Sequence, residues 1–303
     1  MDEDRQAVRS VTPTTFAVVV VNYGSHELLK ENLEPETSGN SLATVIVVDN
    51  YSSDEERTAV TGLCHDNGWI LLTLPNRGFG AGMNAGVEHA IELGHSVFIL
   101  INPDLKADTA ALSALAGQAA GEPDTLTAPR ILRPDGRLWF SGGTLSLDDG
   151  TTRTKAGTDS TQPNGWLTGA CLSVHRDLWT RLGGFDDEYF LYWEDVDLSW
   201  RCTAIGGRLL VRDDITVVHS VGGTQQATGK SLLYYYYNCR NRLLFARKNL
   251  DRQTQRRWIR RSPSVARLIV LRGGKRQFLS TPWRPIRAAI AGTVAGLRVP
   301  LPR

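Results

Sequence analysis

Sulfur is scarce in this chain of 303 residues, which holds two methionines and four cysteines. Cys64, Cys171, Cys202 and Cys239 stand far apart, so no Cys-x-x-Cys pair suggests a zinc site or redox exchange. A chain of this length has no need of disulfide staples. No apolar run approaches the roughly 18 to 20 residues that span a bilayer. The first ten residues, MDEDRQAVRS, lack the basic-then-apolar order of a signal peptide. The expectation is a reduced, cytoplasmic protein. Internal repeats and low-complexity tracts are missing too. So is surplus charge: 34 Lys and Arg against 32 Asp and Glu leave +2, which excludes a strongly basic nucleic-acid binder.

That balance conceals an asymmetry. Residues 1–250 carry 21 basic and 31 acidic side chains, a net of −10, whereas residues 251–303 carry 13 basic and one acidic, a net of +12. The composition is otherwise that of a globular protein, with 41% hydrophobic and 22% charged residues.

What is present is a repeating pattern. The run FAVVVV (16–21) is apolar and β-branched and ends at Asn22-Tyr23-Gly24, as a strand buried on both faces does. Residues 45–48 end in Asp49-Asn50, 69–74 in Pro75-Asn76, and 97–101 in Asn102-Pro103-Asp104. Helical segments over 27–33, 54–67 and 82–93 lie between them. Alternating strands and helices predict an α/β protein with a mostly parallel sheet, whose ligands gather at the carboxyl ends of the strands. After about residue 128 the alternation stops. Gly, Asp and Thr dominate 135–165, as in turns, short antiparallel strands or a mobile loop. A strand over 208–219 and a helix over about 231–249 precede a basic, Pro-interrupted end.

Several clusters carry chemical potential. Asp49 ends a strand where a carboxylate can accept the imide N–H of uracil or thymine, while Ser52, Ser53 and Asp54 read as a turn and helix cap. The loop NRGFGAGMNAG (76–86) opens a helix with four glycines, so its backbone can approach a phosphate or sugar closely or simply turn tightly. It also satisfies G-x-G-x-x-A, a weak match because two strand-loop units precede it. Asp104 can bind a hard divalent cation shared with substrate phosphates, or cap a helix.

The densest block is GGFDDEYFLYWEDVDLSWR (183–201), where six acids are interleaved with aromatic rings. Asp197 and Arg201 are spaced as an i,i+4 ion pair. Glu194 and Asp195 are adjacent carboxylates among rings, a setting that separates or raises pKa values as a general base requires. His219 ends an apolar strand, where a histidine serves as a structural hydrogen-bonder or as a ligand.

In this order and spacing, VVVVNYGSHELL, VIVVDNYSSD, NRGFGAGMNAG, ILINPD, LTGACLSVHRDLWTRLGGFDDEYFLYWEDVDLSWR and VVHSVGGT resemble the family 2 glycosyltransferases of the inverting GT-A fold. The likeness is to the bacterial rhamnosyltransferase-like branch and covers roughly residues 16–250. It implies a Rossmann-like nucleotide-diphospho-sugar transferase domain over 15–250, with a nucleotide-binding half (15–127) and an acceptor-binding half (128–250). A disordered stretch (1–14) would precede it, and a basic helical extension (251–303) would follow.

The same resemblance implies roles. Asn22, Tyr23, Asp49, Asn76, Gly78, Gly80, Asn84, Asn102, Asp104 and Arg240 would hold the donor. Asp104 and His219 would bind Mg²⁺ or Mn²⁺, with Asn102-Pro103-Asp104 standing at the Asp-x-Asp motif of the family. Asp195, with Glu194, would be the catalytic base, and Trp166, Gly169 and Trp193 would face the acceptor. The block reads Gly-Gly-Phe-Asp-Asp-Glu here, with one extra acid, which leaves the role of its second carboxylate open.

The implied partners are a dTDP- or UDP-sugar, best matched by dTDP-rhamnose, and a carbohydrate, lipid-linked or small-molecule acceptor. A nucleotidyltransferase and a non-catalytic sugar-binding member of the fold are the alternatives. The basic end either lies on an anionic membrane face, placing the protein at the inner face of the cell membrane, or packs on the catalytic domain.

Overall fold

The run FAVVVVN forms β1 (Phe16–Asn22), and all seven residues are buried, which explains why it shows no polar alternation. In this computed structural model the described residues are 15–37, 42–154, 164–220, 230–272, 281 and 283–299. The expected disordered stretch 1–14 and the Val221-Gly222-Gly223-Thr224 segment lie outside them.

β1 is flanked in parallel by β2 (Ala43–Asp49) and β4 (Val97–Ile101), and β2 in turn by β3 (Ile70–Thr73). Short crossovers run through α1 (His26–Asn32), α2 (Glu34–Thr37), α3 (Asp54–Asn67) and α4 (Phe79–Glu92). Ser53 caps α3, accepting from the backbone N–H of Glu56, as its place in the sequence predicts. Gly68, in the left-handed region at φ 65°, ends that helix.

Beyond β4 the sheet becomes mixed. β5 (Leu105–Lys106) and α5 (Thr109–Gly121) lead to β6 (Thr125–Leu132), with β7 (Leu138–Phe140) antiparallel on its edge. β11 (Cys171–His175) runs antiparallel between β4 and β6, and β12 (Arg208–His219) lies parallel to β6. The order is β3-β2-β1-β4-β11-β6-β12-β5. The segment 135–165 supplies β7 and a small antiparallel sheet of β8 (Gly143–Leu145), β9 (Thr152–Thr154) and β10 (Gly165–Trp166), in the order β10-β8-β9.

α6 (Arg176–Leu182) and α7 (Glu194–Ala204) cover the sheet between β11 and β12. The basic end packs rather than hanging free. α8 (Leu232–Asn249), α9 (Arg252–Leu271) and α10 (Trp283–Arg298) associate side by side. Asp251, the single acid of the 251–303 segment, caps α9 by accepting from Gln253 and Thr254. Trp258 is fully buried and donates to the Leu147 carbonyl at 2.9 Å. The buried guanidinium of Arg242 bonds the carbonyls of Asp149 and Trp258 and the Ser262 hydroxyl, tying α8, α9 and the small sheet together.

Candidate active site

Strand pairing creates the first cluster. β12 ends beside β5, with His219 opposite Leu105 in antiparallel register, so His219 and Asp104, 115 residues apart in sequence, become neighbours. Asp104 Oδ1 lies 2.9 Å from His219 Nε2, and both side chains are buried. The Ser220 N–H donates to the Asp104 carbonyl, fixing the two chains, and the Trp139 ring stands edge-on to the imidazole at 4.3 Å. Two buried polar atoms here have no hydrogen-bond partner among the described residues: His219 Nδ1 and Asn102 Oδ1. A carboxylate, an imidazole and an orphaned amide oxygen suit a divalent cation of the Mg²⁺ or Mn²⁺ kind. Among the described residues no group of three His, Cys, Asp or Glu can hold a metal, so any ion here takes further ligands from elsewhere.

The second cluster opens α7. Tyr192 and Trp193 both adopt positive φ, 66° and 76°, immediately before Glu194. Such strain is held only where the surroundings over-determine it. The holder is Asn241 of α8, fully buried, whose Nδ2 donates to the carbonyls of Leu191 (3.0 Å) and Tyr192 (2.8 Å). Arg240 donates to Asn241 Oδ1 at 2.6 Å and to the Glu188 carbonyl at 2.9 Å.

This turn sets the two carboxylates apart chemically. Asp195 Oδ2 accepts from the Gly169 N–H (3.0 Å) and Oδ1 from its neighbour Val196 (2.8 Å). Burial pushes its pKa up to about 6, against the pull of those two N–H groups. Glu194 is buried, its Oε2 has no partner, and burial together with the adjacent Asp195 charge drives its carboxyl well above the usual range. Both acids therefore favour the protonated form more than a free carboxylate does, and Glu194 the more strongly.

The remaining acids of the block are structural. Arg201 Nε pairs with Asp197 Oδ2 at 2.6 Å in the expected i,i+4 arrangement, and Tyr189 and Asn249 donate to Oδ1. Lys248 joins Asp186 and Glu188.

At the other strand ends, Asp49 has no exposed side-chain surface. Its Oδ2 is 2.6 Å from Arg57 Nε, while Asn22 Nδ2 approaches Oδ1 at a long 3.4 Å. Arg57 also lies over the Tyr51 ring, 4.8 Å from its centroid, and Tyr51 and Tyr23 are exposed. The solvent-facing surface at this strand end thus belongs to Arg57 and the tyrosines, with Asp49 beneath. Neither Arg57 nor Tyr51 stands out in the sequence, because Arg57 reaches Asp49 from α3 while Tyr51 lies in the loop that precedes that helix.

The glycine-rich loop corrects part of the sequence reading. A Cβ on Gly82 would sit 2.9 Å from Val21 Cγ2, and one on Gly86 2.3 Å from Val19 Cγ1, so these glycines let α4 lie close on β1. Gly80 faces Phe185 in the same way, at 2.9 Å, rather than an open phosphate cradle. Gly78, at φ 101°, passes under the Phe190 carbonyl, which takes the Phe79 N–H at 3.0 Å. Asn76 accepts from the Gly78 N–H, and Asn50 bridges Asn76 and the Gly78 carbonyl.

Four further residues of the expected site have partners within the protein. The Asn84 amide donates to Phe185 O and Asp187 and accepts from the Phe185 N–H, clamping the acidic block onto α4. Arg240 is engaged with Glu188 and Asn241 rather than held free for a diphosphate. Trp193, expected on the acceptor side, is buried against Phe245 and Trp258, where its ring packs the core. Gly169 acts through its N–H on Asp195. Trp166 keeps a buried indole N–H without a partner beside Gly143.

Comparison with known proteins shows the fold and the family. The Pyrobaculum calidifontis mannosyltransferase PcManGT, solved in complex with GDP-Man and Mn²⁺, superposes with a TM-score of 0.57 at 16% identity, covering 95% of this chain and 90% of that one. The chain therefore has the GT-A-like glycosyltransferase fold. A model of glycosyl transferase family 2 matches residues 16–174, and the chain belongs to that family. The N-acetylglucosaminyl-diphospho-decaprenol L-rhamnosyltransferase of Mycobacterium tuberculosis is 30% identical over 236 residues, 67% of this chain and 75% of its relative. The low-salt glycan biosynthesis hexosyltransferase Agl10 of Haloferax volcanii is 25% identical over 253 residues, 78% of each chain. The protein is a glycosyltransferase, as its sequence motifs imply.

Proposed function

We propose that this enzyme transfers L-rhamnose from dTDP-rhamnose to an acceptor hydroxyl with inversion, in a single displacement for which Asp195 is the base. The observation that carries the reading is the unequal carboxylate pair. Asp195 is oriented by the Gly169 N–H with its pKa pushed up to about 6, beside a Glu194 whose carboxyl burial and the neighbouring charge drive well above the usual range. An ionised Asp195 takes the proton of the incoming hydroxyl as oxygen attacks the anomeric carbon from the face opposite the leaving nucleoside diphosphate. The neutral Glu194 adds no second charge to repel the ionised base.

Asp104 and His219, with the Asn102 amide oxygen, would hold the divalent cation. When bound, the ion offsets charge on the leaving diphosphate. The nucleobase would lie over the ends of β1 and β2, on the surface formed by Tyr23, Tyr51 and Arg57, with Asn22 and Asp49 buried beneath it. Gly78 and Asn76 border it through the Asn50 bridge. The imide edge is shared by uracil and thymine; rhamnose is favoured by the Mycobacterium relative.

That relative's name also favours a lipid-linked acceptor, with Trp166 on the acceptor side. We assign catalysis to 15–250, with 251–303 as a helical extension, and place the reaction at the inner face of the cell membrane. Membership of a glycosyltransferase family argues against a nucleotidyltransferase, and the presence of both Asp104 and Asp195 argues against a non-catalytic member. The deciding experiment incubates the protein and Mn²⁺ with a panel of nucleotide sugars and follows nucleoside diphosphate by mass spectrometry. Release from dTDP-rhamnose above all others supports the reading, whereas turnover confined to another donor removes the rhamnose assignment.

A further inference from the structure

α10 has two apolar faces, and the described residues cover one of them. Pro285, Ala289, Gly292 and Gly296 are buried, and the two glycines let the helix lie directly on α8. A Cβ on Gly292 would come within 2.1 Å of the Tyr236 carbonyl oxygen, and one on Gly296 within 2.8 Å of that of Arg240. On a different face stand Trp283, 74% exposed, Ile290, 57% exposed, and the exposed Val294 and Leu297. Their offsets of seven, four and three residues place them in one stripe. Arg287 and Arg298, each four residues after a member of the stripe, line its edge, and Arg284 stands beyond them.

α9 extends this surface. Between the two helices runs an open groove of about 510 Å³ lined by Ala266, Val270, Leu271, Ile286 and Ile290 among others, with Arg267 its single charged lining residue. Leu268 and Leu271 of α9 are also exposed.

We infer that the outer faces of α9 and α10 form a docking surface for an anionic lipid bilayer. An exposed apolar stripe with arginines along one edge is the composition of a helix lying in the interface, with tryptophan at headgroup level. Charge decides the occupant. The 251–303 segment has 13 basic residues and one acid, and that acid caps α9. A second copy in two-fold contact through this stripe would set the same arginines against one another, whereas an anionic leaflet complements them. No described helix is long and apolar enough to cross a membrane, so attachment is in the plane. The inference deepens the proposed placement at the membrane face and rests on that placement alone, not on the donor or the base.

The test uses the full chain, because α9 and α10 pack on α8 and a truncation would unwrap it. Co-sedimentation is measured with vesicles of phosphatidylcholine and of an equal mixture with phosphatidylglycerol. The wild type should bind the mixed vesicles, more weakly as NaCl rises. Trp283→Ser with Ile290→Ser, and separately Arg284→Gln with Arg287→Gln, should each weaken binding about tenfold or more. Both variants should keep the wild-type rate of nucleoside diphosphate release in solution. Wild-type sedimentation by both variants, or no binding of the wild type to mixed vesicles, overturns the inference. A dimer in sedimentation velocity that Trp283→Ser with Ile290→Ser dissolves, without any vesicle binding, overturns it in favour of a second copy. Vesicle binding that behaves as stated in a protein that turns over no nucleotide sugar upholds the docking surface and defeats the transfer reading.

Discussion

The backbone N–H of Gly169 donates to Oδ2 of Asp195 at 3.0 Å, joining the loop before β11 to the first turn of α7. That contact orients the carboxylate expected to act as base. Asp195→Asn should therefore lower kcat by about 10²- to 10⁴-fold while leaving donor KM nearly unchanged. Steady-state kinetics with saturating acceptor measures both, and near-wild-type turnover would remove Asp195 from the role.

The pH dependence has a definite sign. Asp195 works unprotonated, and its pKa is pushed up to about 6 by burial. The kcat/KM profile should thus rise about tenfold per pH unit below 6 and level off above it. A flat profile between pH 5 and 7, values chosen to bracket that pKa, would contradict the assignment.

Glu194 is expected to be protonated already, since burial and the neighbouring charge oppose its ionisation. Glu194→Gln preserves shape and neutrality, so turnover should stay within about tenfold of wild type. A loss as large as that of Asp195→Asn would exchange the roles of the two acids.

Asn241 holds the strained turn from behind. Asn241→Ala leaves the Leu191 and Tyr192 carbonyls without their amide donor, at a cost of about 1–3 kcal/mol each. Thermal denaturation should register the loss, and kcat should fall more than donor KM rises, since the turn aims Glu194 and Asp195.

Removal of divalent ions should abolish transfer, with recovery on adding Mn²⁺. His219→Ala should raise the Mn²⁺ concentration needed for half activity by about 10-fold or more, a cost typical of losing part of a metal's surroundings. An unchanged metal requirement would leave His219 a hydrogen-bond partner of Asp104 only.

Much of the fold is legible in the residues themselves. Buried parallel strands write continuous apolar runs, so β1, β2 and β4 announce themselves, and α3 begins at its capping serine. The i,i+4 pair of Asp197 and Arg201 is equally local. Local pattern carries less about the glycines of 78–86, because the same small residue serves a phosphate, a turn or a close helix contact. Val19, Val21, Phe185 and Phe190 determine which.

The sequence alone determined that acids, a histidine and a glycine-rich loop stand at strand ends of an α/β sheet, because periodicity and strand-terminating residues are properties of neighbours in the chain. Tertiary structure decided the rest. Antiparallel pairing of β12 with β5 sets His219 against Asp104, and Asn241, some fifty residues on, helps hold the turn before Glu194. It also decided that the basic end both packs on α8 and keeps an apolar face outward. Burial, which sets pKa values and exposed surface alike, is a sum over contacts between residues far apart in sequence.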